Sequence, residues 1–349
     1  MREMGAFVPG LELNARFYAE VVAPLLARWP HAAARLGTGS EVLGFDTERS
    51  TDHGWGPRLT VLVDAGALDA VAGAIETGLP DAFGGWPVRY GWDAVPVQHH
   101  VRVLTLPRWL RSELGVDRAE GQRTVDWLLL PQQKLLEVTS GAVYRDDTGA
   151  LGTARQTLRW YPDQVWLWML AAQWRRIAQE EAFVGRTAEV GDELGSRLVA
   201  ARLARELMRL WFLLHRTYWP YAKWFGSAFA RLPDSADLAA ALGTALAAPA
   251  YPERERGLAS AYRLVAARHN AVGLTESVDT EVRHYFERPF QVLMADRFTD
   301  ACLRRVVDPD LADLPLVGSV DQMADSTDVL DSAEQARKLR ALFEPVGER

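Results

Sequence analysis

A short glycine-rich segment has the composition of a phosphate-binding turn. Residues 37–40 read Gly-Thr-Gly-Ser and lie between two apolar stretches of the chain. A turn of this kind presents backbone N–H groups and a hydroxyl to the oxygens of a phosphate. Gly39 and Ser40 are therefore candidate contacts of a phosphate group. Taken alone, the segment is also typical of an ordinary turn between two elements.

An acidic segment follows this turn. Asp52 and His53 come shortly before the apolar run Leu59–Val63, and Asp64 comes directly after it. A carboxylate beside a bound phosphate can hold a divalent metal, and an imidazole can move a proton. Asp52 and Asp64 are thus candidate metal ligands, and Asp52 and His53 are candidate catalytic residues. The alternative for Asp52 is that it caps a turn.

Three histidines suggest a second kind of chemistry. His53, His99 and His100 could gather at a metal, but adjacent histidines rarely bind one metal through both rings. The other hypothesis is that one of them acts as an acid or base in a site that works without a metal.

The elements that position these residues alternate between helix and strand. Apolar spacing predicts an opening helix that stops before Pro30, and the β-branched residues after the acidic segment favour a buried strand. In chain order we predict a helix at Leu13–Trp29, a glycine-rich turn at Leu36–Gly44, a strand at Leu59–Val63, a helix at Asp69–Thr77, a strand at His100–Leu106 and a helix at Pro107–Leu114.

The second half of the chain is predicted to be helical. Segment Ala142–Leu151 has turn residues between apolar flanks, which predicts a hairpin that ends the strands. From Tyr161 onward the apolar residues recur at helical spacing, as in a helical bundle. The sequence therefore predicts an α+β domain at residues 1–150 and an all-α domain at residues 151–349, whose last part, from residue 308, is acidic and less regular.

Two basic residues of the helical half could bind an anion. Lys223 lies among five aromatic residues, where its ammonium could pair with an anionic group and the rings could stack on a planar group. Arg186 is a second candidate. The structural alternatives are a lysine stem packed on aromatic rings and an arginine in a surface ion pair. Asp192 precedes an apolar helix and is expected to cap it.

Composition excludes several classes of protein. The 39 basic and 46 acidic residues are interspersed and give a net charge of -7, which does not suit a nucleic-acid-binding protein. The single cysteine excludes an intramolecular disulfide and a cysteine metal cluster. Neither a signal-peptide pattern nor a run of ~20 apolar residues is present. We expect a cytoplasmic protein that binds neither nucleic acid nor membrane.

Several segments, in order, resemble the domain of unknown function 4037 family. That family is similar to nucleotidyltransferases of the DNA polymerase beta superfamily, in which a helix leads into a Gly-Ser turn and two acids stand at the next strand. The resemblance covers most of residues 7–232. The matching segments are Phe7–Leu11, Gly39–Asp46, Ser50–His53, Trp55–Arg58, Gly185–Arg186, Gly191–Ser196 and Tyr221–Gly226.

The resemblance implies a nucleotidyltransferase-like N-terminal domain followed by a helical bundle. It also implies Mg²⁺ and a nucleoside triphosphate, with ATP as the first choice, and transfer of a nucleoside monophosphate to a small-molecule or protein acceptor. We expect magnesium at Asp52 and Asp64. The nucleotide contacts that we expect are Gly39, Ser40, Arg58, Arg186 and Lys223.

The sequence departs from the family pattern at two places. Where the family has an acid after His53, this chain has Gly54. The strand on which a third acid is expected, His99–Val103, carries Arg102. The metal-binding acids are therefore incomplete. This favours, as alternatives to transfer, a catalytically degenerate protein that binds a nucleotide or metabolite or serves as a scaffold, or one repurposed for metal-independent chemistry.

Overall fold

The fold is α+β, with a mixed sheet in the N-terminal part and a helical C-terminal region. The structure, a computed structural model, describes residues 7–93 and 95–344. Its strands are β1 Ala32–Arg35, β2 Arg58–Leu62, β3 Ala82–Phe83, β4 Trp86–Pro87, β5 Arg89–Trp92, β6 Val95–Leu104, β7 Ala142–Asp146, β8 Arg283–Tyr285 and β9 Arg288–Val292.

The helices are distributed along the whole described chain. They are α1 Gly10–Phe17, α2 Ala23–Leu25, α3 Leu68–Gly78, α4 Leu106–Leu114, α5 Thr124–Trp127, α6 Gln132–Thr139, α7 Ala150–Thr157, α8 Asp163–Glu180, α9 Phe183–Glu189, α10 Glu193–Leu214, α11 Ala222–Phe229, α12 Ser235–Ala247, α13 Tyr251–Val272, α14 Asp296–Leu303, α15 Pro309–Ala312, α16 Val320–Met323, α17 Thr327–Leu330 and α18 Ala333–Arg337. Short 3₁₀ turns lie at Glu48–Asp52, Ala65–Ala67 and Lys338–Phe343.

The chain forms two compact units that interleave in sequence. Unit 1 takes the described residues among 1–122, 133–159 and 331–334. Unit 2 takes 123–132, 160–330 and the described residues from 335 onward. The division into separate domains at residues 1–150 and 151–349 stays a prediction, and the end of the acidic tail, residues 345–349, lies outside the described residues.

The opening helix is interrupted by a wider turn. Residues Tyr18–Val22 form a π-helical turn between α1 and α2. Pro24 lies in the first turn of α2 and has no N–H to donate to the preceding turn, which explains why the regular hydrogen-bond ladder breaks here. The predicted helix is confirmed, although it begins at Gly10 and ends at Leu25.

Unit 1 contains a five-stranded mixed sheet in the order β5-β6-β2-β1-β7. Strands β2 and β6 are parallel, whereas β1 is antiparallel to both β2 and β7. In the β2–β6 register Arg58 lies opposite His100, and Thr60 lies opposite Arg102. Since side chains alternate along a strand, these four residues share one face of the sheet.

The main core of unit 1 lies on the opposite face. Phe17 and Val22 pack there against Val61 and Val101, together with Ile75 of α3. All of these side chains are buried, and each stabilises the fold by roughly 1.5–3 kcal/mol relative to an exposed side chain. The other face of the sheet, which carries Arg58 and His100, is the one that holds the candidate site.

Unit 2 is built mainly from helices. The long helices α8 and α10 are in contact, and α13 packs against both α10 and α12. Gly257 permits the close approach of α12 and α13, because a Cβ there would meet the backbone nitrogen of Ala245 at 2.6 Å. Within the part of the chain that the structure describes, no helix combines the length and apolar character needed to span a bilayer.

Two sequence predictions about strands are wrong. Segment Ala142–Leu151 does not form a hairpin, because β7 pairs with β1 and α7 begins at Ala150. Strands also occur beyond Tyr161, where β8 and β9 form a hairpin. Its turn at Phe286 adopts a φ of 55°, and a turn made by phenylalanine lacks the glycine or asparagine that usually marks such a position.

Candidate functional site

The glycine-rich turn follows the end of β1. Gly37 and Gly39 have φ values of 85° and 149°, a region that favours glycine. The Gly37 N–H donates to the carbonyl of Glu137 at 2.8 Å, and the Phe45 N–H donates to the carbonyl of Ser40 at 2.8 Å. The turn is therefore held at both ends by backbone hydrogen bonds.

The middle of the turn presents unpaired donors. The backbone N–H groups of Thr38, Gly39 and Ser40 donate to no acceptor among the described residues, and the Ser40 hydroxyl also has no partner there. Thr38 is exposed, and Gly39 and Ser40 are half-buried. Successive N–H groups in a turn form a concave surface that binds anions.

Two arginines lie directly against the turn. Arg35 ends β1, Arg58 begins β2, and both guanidinium groups donate to the same oxygen of Glu41. The Nη2 atoms of Arg35 and Arg58 lie 2.6 Å and 3.0 Å from the Thr38 carbonyl. A Cβ on Gly39 would lie 2.5 Å from Arg35 Nη2, so a side chain at this position would have to displace the guanidinium groups.

Glu41 is ionised in this cluster and leaves it with a positive charge. Burial alone would raise the pKa of Glu41, but the charges of Arg35 and Arg58 lower it to about 2. Burial lowers the pKa of Arg35, and the nearby charge of Arg58 lowers it further. The guanidinium nevertheless stays protonated, because the ordinary pKa of arginine is far above neutral pH. Two positive charges against one negative charge give a net charge of about +1 beside the turn.

The loop before β2 carries the two predicted catalytic residues. Asp52 ends a 3₁₀ turn, and its Oδ1 lies 2.9 Å from His53 Nδ1. Both side chains are largely exposed, at 63% for Asp52 and 64% for His53. A carboxylate that orients an imidazole in this way is a common arrangement for proton transfer.

Asp64 and Asp46, which lie on either side of Asp52 in sequence, have separate surroundings. Asp64 is exposed at the end of β2. Asp46 accepts hydrogen bonds from the Gly10 N–H at 2.7 Å and from Trp55 Nε1 at 3.4 Å. In the described ranges, no three His, Cys, Asp or Glu side chains are placed so that they could share a metal ion.

Gly54 and Arg102 occupy the two positions at which the resemblance led us to expect acids. Gly54 has a φ of 59°, and a Cβ there would lie 3.3 Å from the Trp92 ring. Arg102 Nη1 is 2.9 Å from Glu113, which also pairs with Lys134 at 3.2 Å. The first position thus serves close packing of the loop, and the second extends a network of ion pairs.

The two histidines of β6 have separate partners. His99 Nε2 lies 2.9 Å from Glu76, whereas His100 Nε2 lies 2.9 Å from the Tyr90 carbonyl. Because a carbonyl only accepts, Nε2 of His100 carries the proton and its Nδ1 is left as an acceptor in the neutral ring. Burial, more than any other cause, lowers the pKa of His100, so the ring is neutral at pH 7.

Aromatic rings surround His100. The ring centres of Tyr90 and Trp92 lie 4.3 Å and 4.9 Å from that of His100. The Tyr90 hydroxyl is buried without a hydrogen-bond partner in the described structure, and burial raises its pKa to about 12. Gly56 lies against this ring, because a Cβ there would be 3.0 Å from it.

Sequence analysis missed the Arg35–Glu41 pair and the rings of Tyr90 and Trp92. Glu41 follows the glycine-rich turn directly, and a charged residue beside a glycine is ordinarily exposed. Arg35 and Glu41 are instead buried, at 5% and 2% exposure of their side chains. The sequence does show two opposite charges, one on each side of the turn. Their spacing alone does not distinguish a buried ion pair from two charges on a solvent-exposed loop.

The basic candidates of unit 2 are both exposed. Arg186 lies on α9 with its guanidinium 5.8 Å from the ring centre of Phe183. Lys223 lies on α11 with its ammonium 4.8 Å from the ring centre of Trp224. Their role in binding a nucleotide stays a prediction.

The acidic segment before α10 has a structural role. The Asp192 carboxylate accepts from the Gly195 N–H at 2.8 Å, which confirms the predicted N-terminal cap. Arg254 is buried and donates to Ser196 Oγ at 2.6 Å and to Glu193. These contacts fix the start of α10 to α13.

Comparisons with known proteins find a similarity to one family over part of the chain. The family model described as a domain of unknown function (DUF4037) matches residues 127–225. No curated protein gives a significant match. Among solved structures, a nucleotidyltransferase-like protein from Exiguobacterium sibiricum is similar, with 15% identity, a TM-score of 0.33 and coverage of 85% of this chain and 89% of that chain. The expected resemblance to the DUF4037 family is therefore confirmed over residues 127–225, which do not include the glycine-rich turn.

Proposed function

We propose that unit 1 binds the phosphate groups of a nucleotide at the turn of residues 37–41. The observation that carries this proposal is the row of three backbone N–H groups, at Thr38, Gly39 and Ser40, without acceptors among the described residues. A phosphate offers several acceptor oxygens and carries the charge that a net positive cluster attracts.

Each residue of the cluster has a distinct part in this binding. The N–H groups and the Ser40 hydroxyl donate to phosphate oxygens, and Arg58 supplies the nearest charge. Arg35 is almost fully buried and holds Glu41, which in turn orients Arg58. The protein itself therefore supplies the positive charge, and this binding has no need of a metal.

Transfer of a nucleoside monophosphate is the finer function that the sequence predicts. It requires acids that hold Mg²⁺, which would neutralise charge and polarise the phosphate. The donor set fits such a site poorly, since Gly54 and Arg102 replace two acids and the described residues contain no group of three metal donors. The described residues therefore support phosphate binding better than they support nucleotidyl transfer.

A second candidate function follows from the Asp52–His53 pair. The 2.9 Å contact holds the imidazole, so that Nε2 can take a proton from a water or hydroxyl. That oxygen would form a bond to the phosphorus of a bound phosphate ester or anhydride while the P–O bond to the leaving group breaks and the leaving group departs with the bonding electrons. Such a reaction proceeds without a metal, and its rate would fall with replacement of His53 while phosphate binding remains.

Calorimetric titration with ATP and GTP, with magnesium and with a chelator, tests the proposal. We expect binding in the chelator that weakens at least tenfold in Arg58→Ala. Arg111→Ala is the matched control, because it removes an exposed arginine of the same unit that pairs with Asp117. Absence of binding in both conditions would refute the proposal. Binding that requires magnesium and is lost in Asp52→Ala would favour transfer instead.

A further inference from the structure

The polar face of the sheet in unit 1 carries a group of aromatic rings beside Arg58. Arg58 and His100 are opposite each other in the parallel β2–β6 register. The ring centres of His100 and Trp92 are 4.9 Å apart with an interplanar angle of 40°. Trp92 ends β5, the strand next to β6. The face therefore runs from a guanidinium to an imidazole to an indole across three adjacent strands.

The arrangement of Arg58, His100 and Trp92 suits a ligand with an anionic group at one end and a flat ring at the other. Trp92 lies two strands from Arg58, and although its backbone pairs with Val95, its ring reaches that of His100, the residue opposite Arg58. A ligand held by its phosphates at the turn and Arg58 would extend from there toward His100 and Trp92. The sugar of a nucleotide gives this kind of separation between its phosphates and its base.

The chemistry of the aromatic end suits a nucleobase. Trp92 is half-buried, and its ring lies against Gly54, where the missing side chain lets the loop approach it. His100 is neutral at pH 7 because burial lowers its pKa, so the imidazole is a flat ring without a charge to hydrate. Stacking on such rings tolerates any base, because each base has a π-face.

We infer that Trp92 and His100 stack on the base of the bound ligand, so that the ligand of unit 1 is a nucleoside polyphosphate and not an inorganic polyphosphate or a sugar phosphate. This inference rests on the proposed function, since it requires phosphate binding at residues 37–41.

The test compares ATP with inorganic tripolyphosphate, which has the phosphates and lacks the base. Both are titrated into the wild-type protein in the presence of a chelator. Because stacking on one base changes affinity by roughly five- to 150-fold, we expect ATP to bind at least five times more tightly than tripolyphosphate. Equal affinities would overturn the inference and leave phosphate binding intact. Failure of both ligands to bind would overturn the proposed function and the inference together.

Variants of the indole separate stacking from folding. In Trp92→Ala we expect the preference for ATP to vanish while the affinity for tripolyphosphate stays within about twofold. Trp92→Phe keeps an aromatic ring and should retain most of the preference. Trp29→Ala is the matched control, because Trp29 packs at the core of the same unit. An equal loss of affinity for both ligands in Trp92→Ala and Trp92→Phe would assign Trp92 to the support of the loop and overturn its role in stacking.

Discussion

Arg58 Nη2 lies 2.8 Å from Glu41 Oε1, the same oxygen that accepts a hydrogen bond from Arg35 Nη2 at 2.7 Å. One carboxylate oxygen therefore joins the end of β1 to the start of β2. Since Glu41 also follows the glycine-rich turn, any change of its charge alters both the turn and the position of Arg58.

The first prediction concerns the stability of the fold at low pH. The pKa of Glu41 is about 2 in the folded protein and near 4.5 without its partners. The folded state thus binds the proton more weakly, and Glu41 contributes about 3 kcal/mol of stability above pH 4.5 that is lost as the pH falls toward 2. In Glu41→Gln this pH dependence should be absent, and the unfolding free energy at pH 7 should fall by about 3–5 kcal/mol, because the buried guanidinium of Arg35 and the half-buried one of Arg58 lose their partner.

Hydrogen exchange of the β1 and β2 amides as a function of pH measures this effect within unit 1. Glu20→Gln is the control, because Glu20 is exposed and pairs with Arg16. Unchanged protection of β1 and β2 in Glu41→Gln at pH 7 would contradict the prediction.

The second prediction compares two glycines of one turn. Gly37→Ala meets nothing within 4 Å, so it should cost only the strain of a positive φ, about 1–2 kcal/mol. Gly39→Ala adds a collision with the guanidinium groups of Arg35 and Arg58 and should also displace them. We expect a larger loss of stability and at least a tenfold loss of ATP affinity in Gly39→Ala, by thermal unfolding and calorimetry. Equal effects of the two substitutions would show that the guanidinium groups adapt to the added methyl.

The third prediction restores an acid to the loop. Asp and Asn both tolerate the left-handed conformation that Gly54 adopts, so Gly54→Asp and Gly54→Asn form a matched pair that differs in charge. The new carboxylate would stand two residues from Asp52. We expect millimolar magnesium to raise the unfolding temperature of Gly54→Asp more than that of Gly54→Asn or the wild type. No difference between the two variants would show that the loop does not bring the carboxylates together.

The fourth prediction concerns unit 2. Glu181 accepts from the N–H groups of Leu293, Met294 and Ala295 at 2.7, 3.2 and 2.9 Å. Burial nevertheless raises its pKa to about 7. Here the folded state binds the proton more tightly than the unfolded chain, so the stability from this group is greatest below pH 4.5 and falls as the pH rises toward 7.

In Glu181→Gln this decline should be smaller, because the amide does not titrate. Urea unfolding of unit 2 at pH 5 and pH 8 measures it. Burial also raises the pKa of Asp321 to about 7, so part of the decline should remain in the variant. Glu287→Gln, at an exposed position, serves as the control. An unchanged pH dependence in Glu181→Gln would refute the assignment.

Helices and strands were predicted correctly from the sequence where apolar residues recur with a clear helical or strand pattern. Leu59–Val63 reads as a buried strand and matches β2 within one residue, and Asp69–Thr77 matches α3 equally well. By contrast, β1 reads Ala-Ala-Ala-Arg, and alanine favours helices over strands. Its strand conformation is imposed by β2 and β7 on either side, which are distant in sequence.

The candidate site shows the same limit. The glycine-rich turn could be found because glycine is the residue that such a backbone requires. The buried pairing of Arg35 with Glu41 could not be found, because a charge becomes buried only when a partner of opposite charge meets it in three dimensions. The assignments of Asp52, His53 and Asp64 to catalysis or metal stay predictions.

The pairing of β1 with β7 also has a consequence for how the protein is made. On the ribosome β7 emerges after β1, and only once residues 123–132, which belong to unit 2, have been added. Until then one edge of β1 has no partner strand, and such an exposed edge can pair with other chains. The long separation of the two strands makes their pairing slow relative to local contacts. Closure of the sheet therefore follows the synthesis of β1 only after a long intervening stretch of chain, part of which belongs to the other unit.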